Sequence, residues 1–144
     1  MTRARLRVIY GDTDQMGVVY YANYFRYFEY ARGEWFRERG GDYRTLEAEG
    51  TLLPAVEATC SYKSPAKYDD LLVIETDVTE LRRASLVFTY RVRREGDDRL
   101  ICEGRTIHAC INRDGKPTRI PDSVARIFEP VASPELPNRN TNED

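Results

Sequence analysis

Hydrophobic and polar positions alternate at the start of the chain and then change to a helical spacing. In residues 3–10, arginine alternates with apolar residues, the period of a strand with one solvent-facing side. From about residue 22 to residue 39, aromatic and small apolar residues recur three or four positions apart. This spacing predicts a helix roughly 25 Å long. We expect Asn23 to cap its start and Gly40-Gly41 to end it.

Alternation with period two returns in the second half of the chain and predicts several consecutive strands. The predicted elements are a short helix over 42–49, strands over 56–62, 72–78, 86–92 and 100–112, a hairpin turn at Asp114-Gly115 and a brief helix after Pro121. One long helix followed by consecutive strands indicates an α+β fold, with an antiparallel sheet packed against the helix. The uncovered edges of such a sheet favour pairing between two copies of the chain.

The length of 144 residues is typical of one domain, which we place at residues 1–130. Residues 131–144 are polar, contain prolines and lack a period, so we predict a disordered tail. The composition is 41% hydrophobic and includes ten tyrosines, whose amphipathic rings suit a core and a subunit interface. The formal net charge of −2 comes without a dense basic block, so we expect no nucleic-acid partner.

No segment of the sequence predicts a membrane anchor or a metal site. The longest apolar run, residues 18–22, is too short to span a bilayer, and the start of the chain has no signal-peptide pattern. We therefore expect a cytoplasmic protein without a membrane partner. Three cysteines without CxxC spacing and a single histidine argue against a disulfide framework and against a metal site.

Two aspartates in the stretch YGDTDQMGVVYYANY, residues 10–24, carry the candidate chemistry. They precede the start of the long helix, where backbone amides are unsatisfied and partially positive. Such amides can polarise a carbonyl while an ionised Asp attacks it or activates water, which predicts an acyl hydrolase. Gly17 would let the backbone approach a ligand closely. The alternative is that Asp12 and Asp14 only bond loop amides or cap the helix.

The leaving group narrows this prediction to thioesters. No His, Lys or Cys lies near the two aspartates in the sequence to act as a proton donor. A thiol, with a reference pKa of about 8.5, can depart as a thiolate with little help, whereas an amine cannot. A thioester is therefore the expected substrate.

Two other groups of residues have candidate roles. His108 and Cys110 lie two apart on a predicted strand and would share a face, but reactive cysteines need an electropositive, partly exposed setting that an apolar strand does not suggest. The aromatic residues of the long helix could line an acyl pocket, although core and interface packing is the more ordinary role for them.

The segment GDTDQMGVVYYANYFRYFEYAR, followed by YKSPAKYDDLLVIETDVTELRRASLVF, resembles the 4-hydroxybenzoyl-CoA thioesterase family over about residues 5–115. The resemblance implies a hotdog fold, in which a curved antiparallel sheet wraps a long central helix. It also implies dimers with a continuous sheet, which often pair into tetramers. The substrate would be a small-molecule acyl-CoA, and no cofactor would be needed.

The same resemblance implies roles for the residues of the loop. The catalytic aspartate of the family falls on Asp14, as nucleophile or general base, and Asp12 would be structural. The backbone amide of Tyr21 matches the position that polarises the thioester carbonyl. Some bacterial members have a histidine at the position of Tyr21, so the aryl-specific branch, which lacks it, is the closer comparison.

Further positions would bind substrate according to the resemblance. Glu29 matches an acidic position that can face the acyl pocket, although it could also lie on a solvated helix face. Arg82, Arg83 and Ser85 match the turn that holds the coenzyme A phosphates, and paired guanidiniums suit phosphate geometry.

Two features leave the phosphate contacts open. Ala84 stands where a lysine can follow the two arginines in the family, which would weaken phosphate binding. Lys63 and Lys67 are alternatives for the same role.

The leading hypothesis is a thioesterase that hydrolyses a short-chain or aromatic acyl-CoA to the free acid and coenzyme A, without metal or redox cofactor. A non-catalytic acyl-CoA sensor or scaffold is the first alternative, because a fold does not fix function. Acyl carrier protein is an alternative carrier of the acyl group. A hydratase or dehydratase would need a histidine in its pocket, and His108 is the single candidate.

Overall fold

The computed structural model of the chain describes residues 1–128, which form five strands and three α-helices. Their bounds are β1 Thr2–Arg7, α1 Asn23–Glu38, α2 Tyr43–Ala48, β2 Ala55–Tyr62, β3 Leu71–Leu81, β4 Ser85–Arg94, β5 Leu100–Ala109 and α3 Asp122–Phe128. Every predicted helix and strand is present, although the first strand ends before residue 10 and the last before residue 112. The tail predicted at 131–144 lies outside the described residues, and the domain boundary at 130 stays a prediction.

All five strands belong to one antiparallel sheet with the order β1-β3-β4-β5-β2. The predicted α+β class is therefore confirmed. Register shifts interrupt three of the strand pairs, and such bulges bend strands and increase their twist. None of the helices within residues 1–128 is long and apolar enough to cross a membrane.

Helix α1 packs on one face of the sheet, mainly over β1 and β3. Its buried side is the stripe that the spacing predicted, namely Tyr24, Tyr27, Phe28, Ala31, Trp35 and Phe36. The ring of Phe28 stacks on the ring of Tyr90 with centroids 4.3 Å apart. Gly104 on β5 makes room for that ring, because a Cβ there would lie 2.3 Å from it. The helix therefore fits the sheet closely at this point.

The two ends of α1 differ from each other in how well the sequence predicted them. At the C-terminal end, Gly41 N–H donates to Phe36 O (2.9 Å) and Gly40 has a φ of +82°, so the predicted stop is confirmed. At the N-terminal end the prediction was wrong. Asn23 is the first residue of the helix, no side chain caps it, and Asn23 Nδ2 donates instead to Asp12 O (2.9 Å). The asparagine thus ties the helix to the preceding loop.

Strand β2 forms one edge of the sheet and is largely exposed. It pairs with β5 on one side, and no strand of residues 1–128 pairs with its other side. Val56 and Tyr62, at its two ends, are 62% and 47% exposed. Helix α1 contacts mainly β1 and β3, so most of β2 is exposed, although Tyr62 at its end packs on Tyr24 of the helix (ring centroids 5.8 Å).

Candidate active site

The loop between β1 and α1 is held against the segment that follows β2. Val8 N–H donates to Asp70 O (2.9 Å), and Val19 N–H donates to Ala66 O (2.8 Å). Between these two anchors, Gly17 N–H donates to Asp14 O (2.9 Å) and closes a tight turn. Gly17 has a φ of +83°, a conformation that side-chain-bearing residues rarely adopt. The turn therefore fixes Asp14 in front of the helix.

The carboxylate of Asp14 is half-buried and has an oxygen free to act on a ligand. Its Oδ1 accepts a hydrogen bond from Met16 N–H (2.9 Å). Its Oδ2 has no hydrogen-bond partner among residues 1–128. Asp14 is thus oriented by the turn while one of its oxygens stays available.

The carboxylate of Asp12, two residues earlier, is fully engaged. Asp12 is buried, and its Oδ2 accepts from Tyr27 Oη (2.8 Å). Its Oδ1 accepts from Arg26 Nη1 (3.1 Å). Burial raises the pKa of the Tyr27 hydroxyl, and the hydrogen bond to Asp12 raises it further because that bond favours the protonated form. Asp12 joins the loop to the helix, as a structural residue would.

We expect Asp12→Ala to lower the free energy of unfolding by about 1–2 kcal/mol, because it leaves the buried Tyr27 hydroxyl without an acceptor. The exposed Arg26 should add little, since surface ion pairs contribute little. Denaturant unfolding followed by far-UV circular dichroism measures the change. Asp14→Ala is the matched control at the neighbouring carboxylate, and equal losses in the two variants would contradict the assignment.

The backbone amide of Tyr21 is free at the start of α1. Tyr20 O accepts from Asn23 N–H (2.9 Å), so this peptide carbonyl points toward the helix. A trans peptide directs its N–H opposite to its C=O, so the Tyr21 N–H points away from the helix. No acceptor for it lies in residues 1–128. Tyr62 Oη donates to Tyr21 O (3.1 Å) and holds the next peptide in place.

Asp14 and Tyr21 line one groove of about 330 Å³ beside the start of α1. Its other walls include Val18, Tyr24, Tyr62 and Lys63. The pKa of Tyr62 is raised to about 12, mainly by burial and to a smaller extent by the neighbouring Cys60. Its hydroxyl therefore keeps its proton and remains a donor. The two residues that carry the free carboxylate oxygen and the free amide therefore line the same groove, together with apolar side chains.

The predicted phosphate-binding residues lie at the other end of the sheet. Arg82 and Arg83 occupy the turn after β3, whereas the Asp14 loop adjoins the first residues of β3. The 11 residues of β3 separate the two ends by roughly 33 Å. Ser85 begins β4 at the same remote end. One chain alone does not bring this turn to Asp14, whereas Lys63 lies in the groove itself.

Glu29 and Lys67 also lie outside the Asp14 groove. Glu29 is exposed on α1 and lines a separate groove near the middle of the helix. Lys67 is exposed, and its backbone N–H donates to Asp70 Oδ2 (2.8 Å). Gly17 shapes the turn and is not part of the groove wall.

Comparison with known proteins places the chain in a family. Residues 8–128 match the model of the thioesterase-like superfamily. The chain is 36% identical over 125 residues to the acyl-CoA thioester hydrolase YbgC of Escherichia coli, covering 86% of this chain and 92% of that protein. The 4-hydroxybenzoyl-CoA thioesterase of a Pseudomonas species is 33% identical over 129 residues, at 85% and 92% coverage. The chain belongs to the thioesterase-like superfamily.

The structural comparison supports the same assignment. The crystal structure of a hypothetical protein from Aquifex aeolicus superposes with a TM-score of 0.85 and 35% identity, covering 90% of this chain and all of that one. The predicted hotdog fold and the predicted thioester hydrolase activity are confirmed by the family and by its named members.

His108 and Cys110 of this thioesterase are not a nucleophile pair. His108 Nδ1 lies 3.0 Å from Leu53 O and its Nε2 lies 2.8 Å from Thr106 Oγ1. Burial lowers the pKa of His108 to about 4, so the ring is neutral near pH 7. Burial also raises the pKa of the Cys110 thiol, which disfavours the thiolate. Both residues are buried, His108 on β5 and Cys110 just after it, and neither has the electropositive, exposed setting of a reactive cysteine site.

Some groove residues of the thioesterase were not predicted from the sequence. Tyr62, which was not predicted, ends β2 and reaches the groove because β2 lies beside the start of α1, and Lys63, predicted only as an alternative for phosphate binding, follows it at the groove wall. The one sequence feature near them is the segment that resembles the family, which begins at Tyr62. The aromatic stripe divides between both predicted roles, since Tyr24 lines the groove while Phe28 and Trp35 are in the core.

Proposed function

We propose that this thioester hydrolase cleaves short-chain or aromatic acyl-CoA thioesters into the free acid and coenzyme A, in the cytoplasm and without a metal or redox cofactor. The observation that carries the proposal is the groove lined by both Asp14, which has a free carboxylate oxygen, and Tyr21, which has a free backbone amide. The acyl-CoA thioester hydrolase of Escherichia coli and the 4-hydroxybenzoyl-CoA thioesterase support the substrate class.

In the proposed reaction, the thioester carbonyl oxygen accepts a hydrogen bond from Tyr21 N–H. The partial positive charge at the start of α1 stabilises the negative charge that develops on this oxygen. Asp14 then follows one of two routes. It takes a proton from a water that adds to the carbonyl carbon, or it adds directly and forms an anhydride that water hydrolyses. On either route the C–S bond breaks and coenzyme A leaves as a thiolate, which is then protonated.

The proposed active unit is a dimer joined through β2, with pairs of dimers as its tetrameric form. The exposed edge of β2 supports this, because unpaired edges favour association and a two-fold axis pairs identical edge strands antiparallel. With the two-fold axis placed at the middle of β2, antiparallel pairing puts Tyr62 of one chain beside Ala55 of the partner subunit. The end of the partner's sheet that contains Arg83 of the partner subunit then approaches the Asp14 groove.

Two positive regions would then hold the coenzyme A phosphates. Lys63 borders the groove in the same chain, and Arg82, Arg83 and Ser85 form the turn of the partner subunit. Both regions are exposed, so each interaction is screened by salt.

We predict that Lys63→Met and Arg83→Met each raise KM for an acyl-CoA about three- to tenfold and leave kcat nearly unchanged, because they bind a part of the substrate that does not react. Thiol release at low and high salt measures the effect. The matched control is the same acyl group on N-acetylcysteamine, which has no phosphates. A loss of the same size on that control would contradict phosphate binding by these side chains.

Product analysis tests the proposed function. Purified protein incubated with benzoyl-CoA, 4-hydroxybenzoyl-CoA and butanoyl-CoA should release free acid and coenzyme A in equal amounts from at least one of them, as resolved by chromatography. Saturable binding without product would favour the sensor alternative. If acid were released only from thioesters of acyl carrier protein, the natural carrier of the acyl group would be that protein and not coenzyme A.

A further inference from the structure

A second groove of about 600 Å³ lies near the middle of α1, away from the Asp14 groove of the same chain. Its walls include Glu29 and Arg32 from α1, Tyr43 from α2, Leu53 and His108. Arg32 is half-buried, and no carboxylate of residues 1–128 lies within ion-pair distance of it. By contrast, the partly buried Arg94 pairs with Asp70. An unpaired guanidinium at a groove wall is available to a ligand.

A chain of hydrogen bonds across the inner face of the sheet fixes the direction of each proton near Arg32. Leu53 O can only accept, so His108 Nδ1 donates to it (3.0 Å), and the neutral ring must accept at Nε2. Thr106 Oγ1 therefore donates to His108 Nε2 (2.8 Å) and accepts from Tyr90 Oη (2.6 Å). Every proton on this side of the network is assigned.

The Tyr90 and Tyr43 hydroxyls connect this network to Arg32. Tyr90 Oη accepts from Arg32 Nη1 (3.1 Å), and Tyr43 Oη accepts from Arg32 Nε (3.1 Å). The Tyr43 hydroxyl proton then has no acceptor within residues 1–128. The remaining guanidinium N–H groups also lack an acceptor there, because Arg carries five N–H groups and no acceptor of its own. Three N–H groups of Arg32 and the hydroxyl proton of Tyr43, two side chains that line the groove, are therefore donors without an acceptor in residues 1–128.

The proposed dimer brings these donors to the reaction centre of the other chain. Within one chain, Tyr62 and Ala55 lie at opposite ends of β2, roughly 23 Å apart, and the two grooves adjoin those opposite ends. Across the antiparallel β2 pair, these two ends are one strand spacing apart, about 4.8 Å. Each Asp14 groove then continues into the groove that contains Arg32 of the partner subunit.

We propose that Arg32 determines acyl specificity: its guanidinium, with the Tyr43 hydroxyl, donates hydrogen bonds to an oxygen acceptor at the distal end of an acyl group bound at the partner's Asp14. This proposal rests on the proposed function and on the β2 dimer. Glu29 and Glu47 at the same groove are acceptors and bind only a substrate group that donates. An ether oxygen accepts but cannot donate, so it distinguishes Arg32 from the two carboxylates.

The experiment compares substrates of equal shape with and without an acceptor. The pairs are 4-methoxybenzoyl-CoA with 4-ethylbenzoyl-CoA, and 4-methoxybutanoyl-CoA with hexanoyl-CoA. The native enzyme should favour the ether by about 10- to 100-fold in kcat/KM in at least one pair, the range expected for a hydrogen bond from a charged donor. Arg32→Met should abolish the preference and retain turnover of the hydrocarbon ester. Arg105→Met, on the outer face of the sheet, is the control and should keep the preference.

Tyr43→Phe is the second variant in case Arg32→Met does not fold, because it removes only a hydroxyl and retains the ring that packs on Phe36. It should reduce the preference. The proposal would be overturned if the native enzyme showed no preference, or if the preference were unchanged in Tyr43→Phe and in folded Arg32→Met. Thiol release in the same assays would still uphold the proposed function. No thiol release from any ester would overturn both.

A mixed dimer tests whether the two residues act across the interface. In a heterodimer of an Asp14→Asn chain and an Arg32→Met chain, one site combines Asp14 of the second chain with Arg32 of the first and is intact. That heterodimer should regain the ether preference that Arg32→Met homodimers lack. Activity without the preference would mean that Asp14 and Arg32 act within one chain and would overturn the proposal.

Discussion

Replacing Asp14 with asparagine should lower kcat by roughly 10²- to 10⁴-fold, the contribution expected of a positioned base, and leave the fold intact. The asparagine side-chain oxygen can still accept from Met16 N–H, so the turn that orients the side chain is retained. The negative charge that attacks the thioester or takes a proton from water is lost. Because Asp14 makes no ion pair within residues 1–128, no charged partner is left unpaired by the change.

The measurement is steady-state thiol release together with thermal unfolding of the same preparations. The unfolding midpoint of Asp14→Asn should match that of the native protein. For Asp12→Asn we expect a lower unfolding midpoint, and a fall in kcat only to the extent that part of the protein is unfolded. Unaltered kcat in Asp14→Asn would show that Asp14 has only the structural role seen at Asp12.

Adding a single methyl group at Gly104 should destabilise the protein by about 1–3 kcal/mol or more, because overpacking forces neighbouring groups to move. The new Cβ of Gly104→Ala would lie 2.3 Å from the ring of Phe28 and 3.2 Å from Thr59 O. Phe28 has little freedom to retreat, since its ring stacks on Tyr90 and is fully buried. For a chain of this length, the expected fall in Tm is roughly 3–10 °C, measured by calorimetry.

Two further variants distinguish this contact from a general effect of losing a glycine. Gly96→Ala, in the turn after β4, meets no atom within 4 Å and should change Tm by about 1 °C or less. Phe28→Leu, combined with Gly104→Ala, should recover part of the loss because the smaller side chain leaves room for the methyl group. A Tm for Gly104→Ala equal to that of Gly96→Ala would contradict the close fit between α1 and β5.

The elements of the fold could be predicted because burial imposes a period on the sequence. The stripe on α1 and the alternation along β3 and β4 each record one buried face, and turn residues such as Gly40 mark the ends. The helix start was mispredicted because Asn23 bonds the loop carbonyl of Asp12, a contact set by the path of the loop. The helix propensities of the residues around Asn23 do not predict the course of this loop.

The site was predictable only in part. A carboxylate before a helix start is visible in the sequence, but the distinction between Asp12 and Asp14 came from the resemblance alone, because it depends on the contacts to Tyr27 and Arg26. The remote position of the Arg82-Arg83 turn follows from strand order, which periodicity does not give. The Arg32 network joins residues from α1, α2, β4, β5 and a loop, so no local pattern indicates it.

The most direct test of acyl-CoA hydrolysis at Asp14 is the rate of thiol release from benzoyl-CoA, 4-hydroxybenzoyl-CoA, butanoyl-CoA and hexanoyl-CoA by native protein and by Asp14→Asn, assayed side by side. We predict turnover of at least one ester by the native protein and a loss of at least roughly 10²-fold in the variant. Equal rates in the two proteins, or no release from any ester by the native protein, would contradict the account.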